Sequence, residues 1–307
     1  MHAVHLEYSS RPSLLPIYAG GLFVRRSGLA PKQPLPPMRS EWKDFRIDKG
    51  HLARFMKFCR QFPSDVMPLV YPLVFVFPLH VSIVGHRRFP LLYVRMMQIR
   101  NHVIQHRPID VREIMDISCA IVGQRVATNG LEMDMHSVLH IAGEPAWESI
   151  HTYKFPGNFG EPDDPSPLAQ LPAMPEANEE QSWTMPRGGG FCFGLMAGDY
   201  NGIHYLSPYA RLMGFERDFA HSQLTLALCV RHLPPLDQNK RVILDVAIKG
   251  PVYYGSNVKM KYSAQGRGHR FDLYCEDKQR PCLSGSVDSS EPDLEALRDM
   301  YSWVTCG

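Results

Sequence analysis

A short polar stretch among glycines combines the residue types that proton transfer needs. Asp199, Asn201 and His204 bring a carboxylate, an amide and an imidazole together within six residues, with Gly198 and Gly202 beside them. A carboxylate and an imidazole held close together can act as a general acid–base pair. In the alternative reading Asp199 and Asn201 only shape a glycine-rich turn, and His204 is a structural histidine. The spacing favours a turn that presents polar groups.

Helical patterns on both sides of this stretch would anchor it. Ser222–Leu233 and Val66–Val84 are apolar on nearly every side, which is typical of buried helices, and Pro78 is expected to kink the second. Glu41–Phe62 has apolar residues at helical spacing on one face. Residues 1–40 are Pro-rich, and we interpret Leu14–Val24 as an arm or short helix that carries no chemistry.

Alternation of apolar and polar residues predicts half-buried strands in both halves of the chain. In the first half they cover Leu92–Met97, Met115–Ile121, Leu131–Ile141 and Ala146–Phe155, with a turn at Gly143–Pro145. In the second half they cover Val242–Lys249, Asn257–Tyr262, Phe271–Glu276 and a last strand from Pro281, before a predicted helix at Asp293–Trp303. The shared order of one buried helix and about four strands indicates a tandem duplication of an α+β unit. Two such units can join edge to edge in one sheet.

The predicted organisation has three parts. Residues 1–156 form the first unit with its N-terminal arm, and residues 187–307 form the second unit. Residues 157–186, rich in proline and acidic residues, form a linker between them. The first unit has Pro68–Pro72 before its buried helix, where the second unit has the polar stretch, so a single active site would belong to the second unit.

Composition excludes several classes of protein. The formal net charge of +2 is too small to predict a nucleic-acid-binding protein. The N-terminus lacks the pattern of a secretion signal, and three prolines interrupt Val66–Val84 too often for a membrane span. Seven cysteines without a C-x-x-C pair suggest reduced core residues, so we expect a cytoplasmic protein. His136 and His140 lie four apart on a predicted strand without a carboxylate motif, and no metal site is predicted.

The polar stretch resembles the signature of a known family. Ala197–Ala210, AGDYNGIHYLSPYA, resembles the G-D-x-N-P-aliphatic-His signature of the MaoC-like, (R)-specific enoyl-CoA hydratases, and Phe219–Ser222 resembles the A-H-G segment that follows it. Gly202 replaces the usual proline, and Ser222 replaces a common glycine. The family has the hot-dog fold, a long helix wrapped by a curved antiparallel sheet. The resemblance therefore implies a double hot-dog, with residues 1–156 as a degenerate first unit that shapes the acyl pocket.

The resemblance also implies a reaction, the reversible addition of water to a trans-2-enoyl thioester that gives the (R)-3-hydroxyacyl thioester, without metal or redox cofactor. It implies that Asp199 and His204 hold and activate the water and that Asn201 orients it. Backbone N–H groups near His221–Gln223, at a helix N-terminus, would stabilise the thioester oxygen. The residues expected to bind substrate are Gly198, Tyr205, His221, Ser222 and Gln223; for His221 and Tyr205 a purely structural role is the alternative.

The phosphates of coenzyme A or of an acyl carrier protein would need cations. The candidates are Arg187, Arg211 and Lys249, together with Arg217, Lys259 and Lys261; each is otherwise a solvated surface charge. Gly188–Gly190 lacks the lysine of a phosphate-binding loop.

Two alternatives to the hydratase remain open from the residues alone. One is a hot-dog thioesterase with an acidic base, and the other is an acyl-binding subunit without catalysis. The assembly also stays open between monomer and homodimer, because a double hot-dog already contains the pairing that single-repeat relatives obtain by dimerising. Acyl chain length and the choice between coenzyme A and carrier protein are not determined.

Overall fold

One long sheet passes through both halves of the chain. The structure is a computed structural model that describes residues 3–20, 25–163, 166, 168, 171–236, 240–276 and 278–289. Its strands are β1 (Val4–Tyr8), β2 (Met38–Arg46), β3 (Met97–Gln105), β4 (Ile114–Ala127), β5 (Gly130–Ile141), β6 (Glu144–Pro156), β7 (Glu179–Thr184), β8 (Val242–Ile248), β9 (Asn257–Gln265), β10 (Gly268–Cys275) and β11 (Leu283–Asp288). They lie in the order β1-β2-β4-β5-β6-β3-β8-β11-β10-β9-β7, antiparallel except for the pair β1–β2.

The two halves meet where β3 pairs with β8. Across this seam the Arg100 guanidinium donates to both carboxylate oxygens of Asp245 at 2.9 and 2.7 Å. Such a bidentate pair fixes the register as well as adding attraction. The expected edge-to-edge union of two α+β units is thus confirmed.

Six helices accompany the sheet in the described residues. They are α1 (Leu15–Gly20), α2 (Lys49–Phe58), α3 (Pro72–Gly85), α4 (Gly190–Ala197), α5 (Ser207–Leu212) and α6 (Ser222–His232). Thirteen consecutive residues of α3, Pro72–Val84, are buried, as its uniform apolarity predicts. In α6 the seven residues Gln223–Cys229 are buried. No described helix is long and apolar enough to cross a membrane.

Several local expectations were wrong. The helix predicted over Glu41–Phe62 is confined to α2, where Asp48 caps the first turn, while Glu41–Arg46 belongs to β2. Backbone pairing of β2 with β4 outweighs the weak helical pattern there. Residues Tyr93–Arg95 form a 3-10 turn, so the strand expected from Leu92 begins only at Met97. The turn expected at Gly143–Pro145 ends earlier, because β6 already begins at Glu144.

Other parts of the chain refine the predicted boundaries. β7 lies inside the predicted linker 157–186 and pairs with β9 of the second half. The N-terminal arm contains the helix α1 and also adds β1 to the sheet beside β2. The predicted helix Asp293–Trp303 lies outside the described residues.

Candidate active site

The glycine-rich stretch forms a tight turn between α4 and α5. Gly198 ends α4 with φ +78°, in the left-handed region that favours glycine, and a Cβ there would lie only 2.8 Å from Nη2 of Arg11. Asn201 then caps a 3-10 turn, Gly202–His204, because its side-chain oxygen accepts the N–H of Ile203 at 3.3 Å. Asn201 therefore shapes the turn, as the structural alternative predicted, and its side chain also lines the cavity described below.

This turn brings Asp199 and His204 together. Nε2 of His204 lies 3.5 Å from Oδ2 of Asp199, and both side chains are buried. Nδ1 of His204 lies 2.9 Å from the carbonyl oxygen of Phe219. Because a carbonyl oxygen only accepts, Nδ1 carries a hydrogen, and in the neutral ring Nε2 is an acceptor. Two acceptors thus face each other and can share the two hydrogens of a water molecule, or hold a proton taken up by His204.

Asp199 is kept ionised by its neighbours. Burial acts to raise the pKa of Asp199, but the hydrogen bond and charge interaction that protonated His204 offers, together with the N–H of Asn201, outweigh it. The pKa of Asp199 therefore lies below its ordinary value. The N–H of Asn201 reaches Oδ1 at 3.2 Å. Asp199 is consequently a carboxylate, able to accept a proton, at neutral pH.

His221 supports the pair from behind. Its ring stacks on that of His204 with centroids 3.9 Å apart and planes inclined by 25°. Burial, followed by the charge of His204, lowers the pKa of His221 to about 3, so its imidazole is neutral. The side chain does not line the cavity, which agrees with a packing role rather than substrate contact.

The geometry also bears on metal binding. Potential ligand atoms of Asp199, His204 and His221 lie within 4.8 Å of one another, as do those of the more exposed residues His5, Glu7 and Glu41. An imidazole binds a metal ion in the plane of its ring. The rings of His204 and His221 are stacked, so they cannot both direct an in-plane lone pair at one ion.

A mostly apolar cavity of about 360 Å³ opens beside the Asp199–His204 pair. The second half contributes Asp199, Asn201 and His204 to its wall. The first half contributes apolar and aromatic side chains, Phe77, Val81, Tyr93, Met96 and Tyr153. Both halves of the duplicated chain therefore enclose one cavity, as expected if the first half shapes an acyl pocket.

The N-terminus of α6 borders the same cavity. Ser222 and Gln223 line it, and Thr225 closes the first helical bond with its N–H to the carbonyl of His221 at 3.0 Å. The earlier N–H groups of the helix have no such intrahelical acceptor and can meet a partial negative charge. The hydroxyl of Ser222 donates to Oε1 of Gln98 on β3 at 2.5 Å, which turns it toward the first half.

The predicted phosphate-binding residues separate into two groups. Lys249 is one of the residues that line the cavity. Its ammonium donates to the carbonyl of Leu171 at 2.8 Å and to Ser284 at 2.7 Å, and burial lowers its pKa. Arg187 and Arg211 do not line the cavity. Arg217, Lys259 and Lys261 already contact other groups: Glu276, Glu180 and the ring of Tyr274.

Tyr205 also lies outside the cavity wall. Its hydroxyl donates to the carbonyl oxygen of Tyr200 at 2.9 Å. This contact ties the two ends of the turn together, which matches the structural alternative.

The N-terminal arm makes a contact with Asp199 that the sequence does not predict. The hydroxyl of Tyr18 lies 3.4 Å from Oδ1 of Asp199, and Tyr18 lines the cavity. No local motif around Tyr18 signals this, since the contact joins residues 181 positions apart.

Comparisons with known proteins agree on the fold. No family model matches the chain. The curated 3-hydroxyacyl-thioester dehydratase X of Mycobacterium tuberculosis is 24% identical over 200 residues, which cover 65% of this chain and 71% of that protein. A crystal structure of HtdX from the same organism aligns with TM-score 0.68 and 21% identity, over 82% of this chain and 100% of that one.

Two further solved structures extend the likeness. A MaoC-like dehydratase from Phytophthora capsici has TM-score 0.68 and 12% identity, over 85% of this chain and 97% of that one. A Mycobacterium tuberculosis protein with a double hot-dog fold has TM-score 0.54 and 12% identity, over 80% of this chain and 94% of that one. The fold is therefore a double hot-dog.

Proposed function

We propose that this chain, a MaoC-like double hot-dog protein, is a hydro-lyase that adds water to trans-2-enoyl thioesters and gives (R)-3-hydroxyacyl thioesters. One observation carries the proposal. The carboxylate of Asp199 and Nε2 of His204 face each other at 3.5 Å on the wall of a mostly apolar cavity. The dehydratase name of the curated relative supports the same reaction class.

The chemistry follows from the two acceptors. Water donates its hydrogens to Asp199 and His204, its oxygen bonds to C3 of the enoyl group, and one of its protons passes to the pair. The pair delivers one proton to C2, so the atoms balance and the enzyme returns to its starting state. General acid–base help of this kind contributes about a hundred- to ten-thousand-fold. The reverse sequence removes water.

Charge that develops on the thioester oxygen needs donors. Ser222 and Gln223 line the cavity at the start of α6, and we assign this role to their backbone N–H groups. The helix dipole adds a partial positive charge at the same place. His221 takes no part in the reaction and supports the ring of His204 instead.

The substrate class is inferred from the cavity. Phe77, Val81 and Met96 of the first half offer apolar walls to an acyl chain. Lys249 is the remaining phosphate candidate, because it lies on the wall of the same cavity as Asp199. We assign it to the phosphate groups of the thioester carrier, coenzyme A or an acyl carrier protein.

The test is turnover of trans-2-enoyl-CoA substrates of increasing chain length by the full chain. Loss of the enoyl absorbance without release of free thiol, and an (R)-3-hydroxy product, is the expected result. Release of free thiol would indicate a thioesterase instead. Stabilisation by acyl-CoA without turnover would indicate an acyl-binding subunit.

A further inference from the structure

The N-terminal arm packs directly on the turn that carries Asp199. Nη2 of Arg11 donates to the carbonyl oxygen of Met196 at 2.7 Å, at the end of α4. Leu14 is buried against Phe77 and Val81 of α3. A Cβ built on Gly198 would lie 2.8 Å from Nη2 of Arg11 and 3.2 Å from Cδ1 of Leu14. The arm thus fills the space beside the catalytic turn.

From this arm the hydroxyl of Tyr18 reaches the Asp199 carboxylate. It lies 3.4 Å from Oδ1 of Asp199 and 3.5 Å from the carbonyl oxygen of Gly198. A phenol has one hydrogen to donate, and a carboxylate is the stronger acceptor. The Tyr18 ring contacts the rings of Tyr93 and Tyr200, each with a centroid distance of 5.3 Å. These rings hold the hydroxyl toward Asp199.

The contacts of Asp199 show why this donor matters. Oδ1 receives the N–H of Asn201 at 3.2 Å and faces the Tyr18 hydroxyl, while Oδ2 faces Nε2 of His204. When His204 is neutral, Nε2 is an acceptor and gives Oδ2 no hydrogen. In that state the hydrogen-bond donors to the Asp199 carboxylate, among the described residues, are the Asn201 N–H and the Tyr18 hydroxyl.

We propose that Tyr18 is a positioning residue for Asp199, so that the N-terminal arm is a third component of the active site, supplied from outside both hot-dog units. The inference rests on the proposed function for its catalytic consequence. Tyr18 orients the carboxylate and favours its ionised form. It forms and breaks no covalent bond in the reaction.

The electrostatic surroundings are consistent with this role. Burial, followed by the charge of Asp199, raises the pKa of Tyr18 well above its ordinary value, so Tyr18 stays a neutral donor. The titratable groups that interact with Asp199 from the packed elements are His204, His221, Tyr18, Tyr93, Tyr153, Tyr205 and Tyr254.

The test compares Tyr18→Phe with Tyr71→Phe. Tyr71 is a matched control, because it is also buried beside the arm, but its hydroxyl bonds to Nδ1 of His51 at 2.7 Å. For Tyr18→Phe we expect kcat to fall about tenfold, and the acid limb of the pH profile of kcat/KM to move up by about one pH unit. Tyr71→Phe should leave both unchanged.

A second measurement needs no turnover. The infrared carboxylate stretch of Asp199, isolated by subtracting the spectrum of Asp199→Asn, responds to the loss of a hydrogen-bond donor. We expect it to shift in Tyr18→Phe and not in Tyr71→Phe. An unchanged stretch in a folded Tyr18→Phe protein, or equal shifts in both variants, would overturn the proposal. Failure of the wild type to hydrate any enoyl thioester would refute the proposed function, while the stretch would still decide the contact of Tyr18.

Discussion

Alanine at Gly194 should strongly reduce activity in a protein that stays folded. A Cβ at Gly194 would lie 2.5 Å from the carbonyl oxygen of Asp199, and ordinary contact begins near 3.4 Å. The methyl group therefore requires a displacement of about 0.9 Å. The obstacle is the backbone of Asp199 itself, which cannot rotate away as a side chain would. The turn that carries Asp199 must move.

The magnitude follows from that displacement. A misplacement of about 1 Å can cost roughly a hundredfold in rate, because the reacting groups leave their productive geometry. Overpacking of this kind costs about 1–3 kcal/mol in free energy of unfolding. We therefore expect kcat of Gly194→Ala to fall about a hundredfold while the protein stays folded. The assay is the steady-state hydration of trans-2-enoyl-CoA, with Tm measured beside it.

Gly50→Ala is the control for this experiment. Gly50 lies in α2, and its Cβ would meet Oδ1 of Asp48 at 3.2 Å, the end of a flexible side chain. Alanine there favours the helix by up to about 1 kcal/mol and should leave kcat unchanged. Wild-type kcat in a folded Gly194→Ala protein would refute the reasoning that the position of Asp199 limits the reaction.

Three further predictions concern the acyl pocket, acid stability and the carrier. Phe77→Ala enlarges the cavity and should shift the preference in kcat/KM toward longer acyl chains, whereas Phe75→Ala, on the same helix but off the cavity wall, should not. The same chain-length profile in the two variants would contradict the assignment of the pocket. His151 is buried and its pKa is lowered to about 3, so below about pH 6.5 the unfolded chain binds a proton that the folded chain does not; as the pH falls, the free energy of unfolding should therefore decrease by about 1.4 kcal/mol per pH unit from this residue. In urea unfolding between pH 7 and pH 5, His151→Asn should make the free energy of unfolding depend less steeply on pH, and an unchanged pH dependence would refute the prediction. Lys249→Met should raise KM for a coenzyme A thioester but not for a short thioester without phosphate, whereas Arg187→Met, at a residue off the cavity wall, should change neither KM. An equal rise of KM for both substrates in Lys249→Met would reject the phosphate role.

The turn that carries Asp199 could be predicted from sequence because its signal is local. Gly198, Asp199 and His204 lie within seven residues, and glycine at a helix end is a local requirement of the backbone. The buried helices were also predictable, since α3 and α6 are apolar on nearly all sides. These features need no knowledge of which parts of the chain meet.

The remaining parts of the site depend on tertiary contacts. Tyr18 reaches Asp199 only because the arm folds against α3, and nothing near Tyr18 in the chain indicates that. The residue pattern at Glu41–Arg46 predicts a helix, but the segment is a strand because pairing with β4 decides its conformation. The sequence likewise does not determine which cations reach the cavity. Only the fold distinguishes Lys249, which lines the cavity, from Arg187 and Arg211, which do not.

The most direct test of the central claim is hydration of a trans-2-enoyl-CoA by wild type, Asp199→Asn and His204→Gln, with the configuration of the product determined. Wild type should give the (R)-3-hydroxyacyl thioester. Each variant should lose at least about a hundredfold in kcat while remaining folded, because each lacks one of the two facing acceptors. Full activity in both folded variants, or an (S) product from the wild type, would contradict the account.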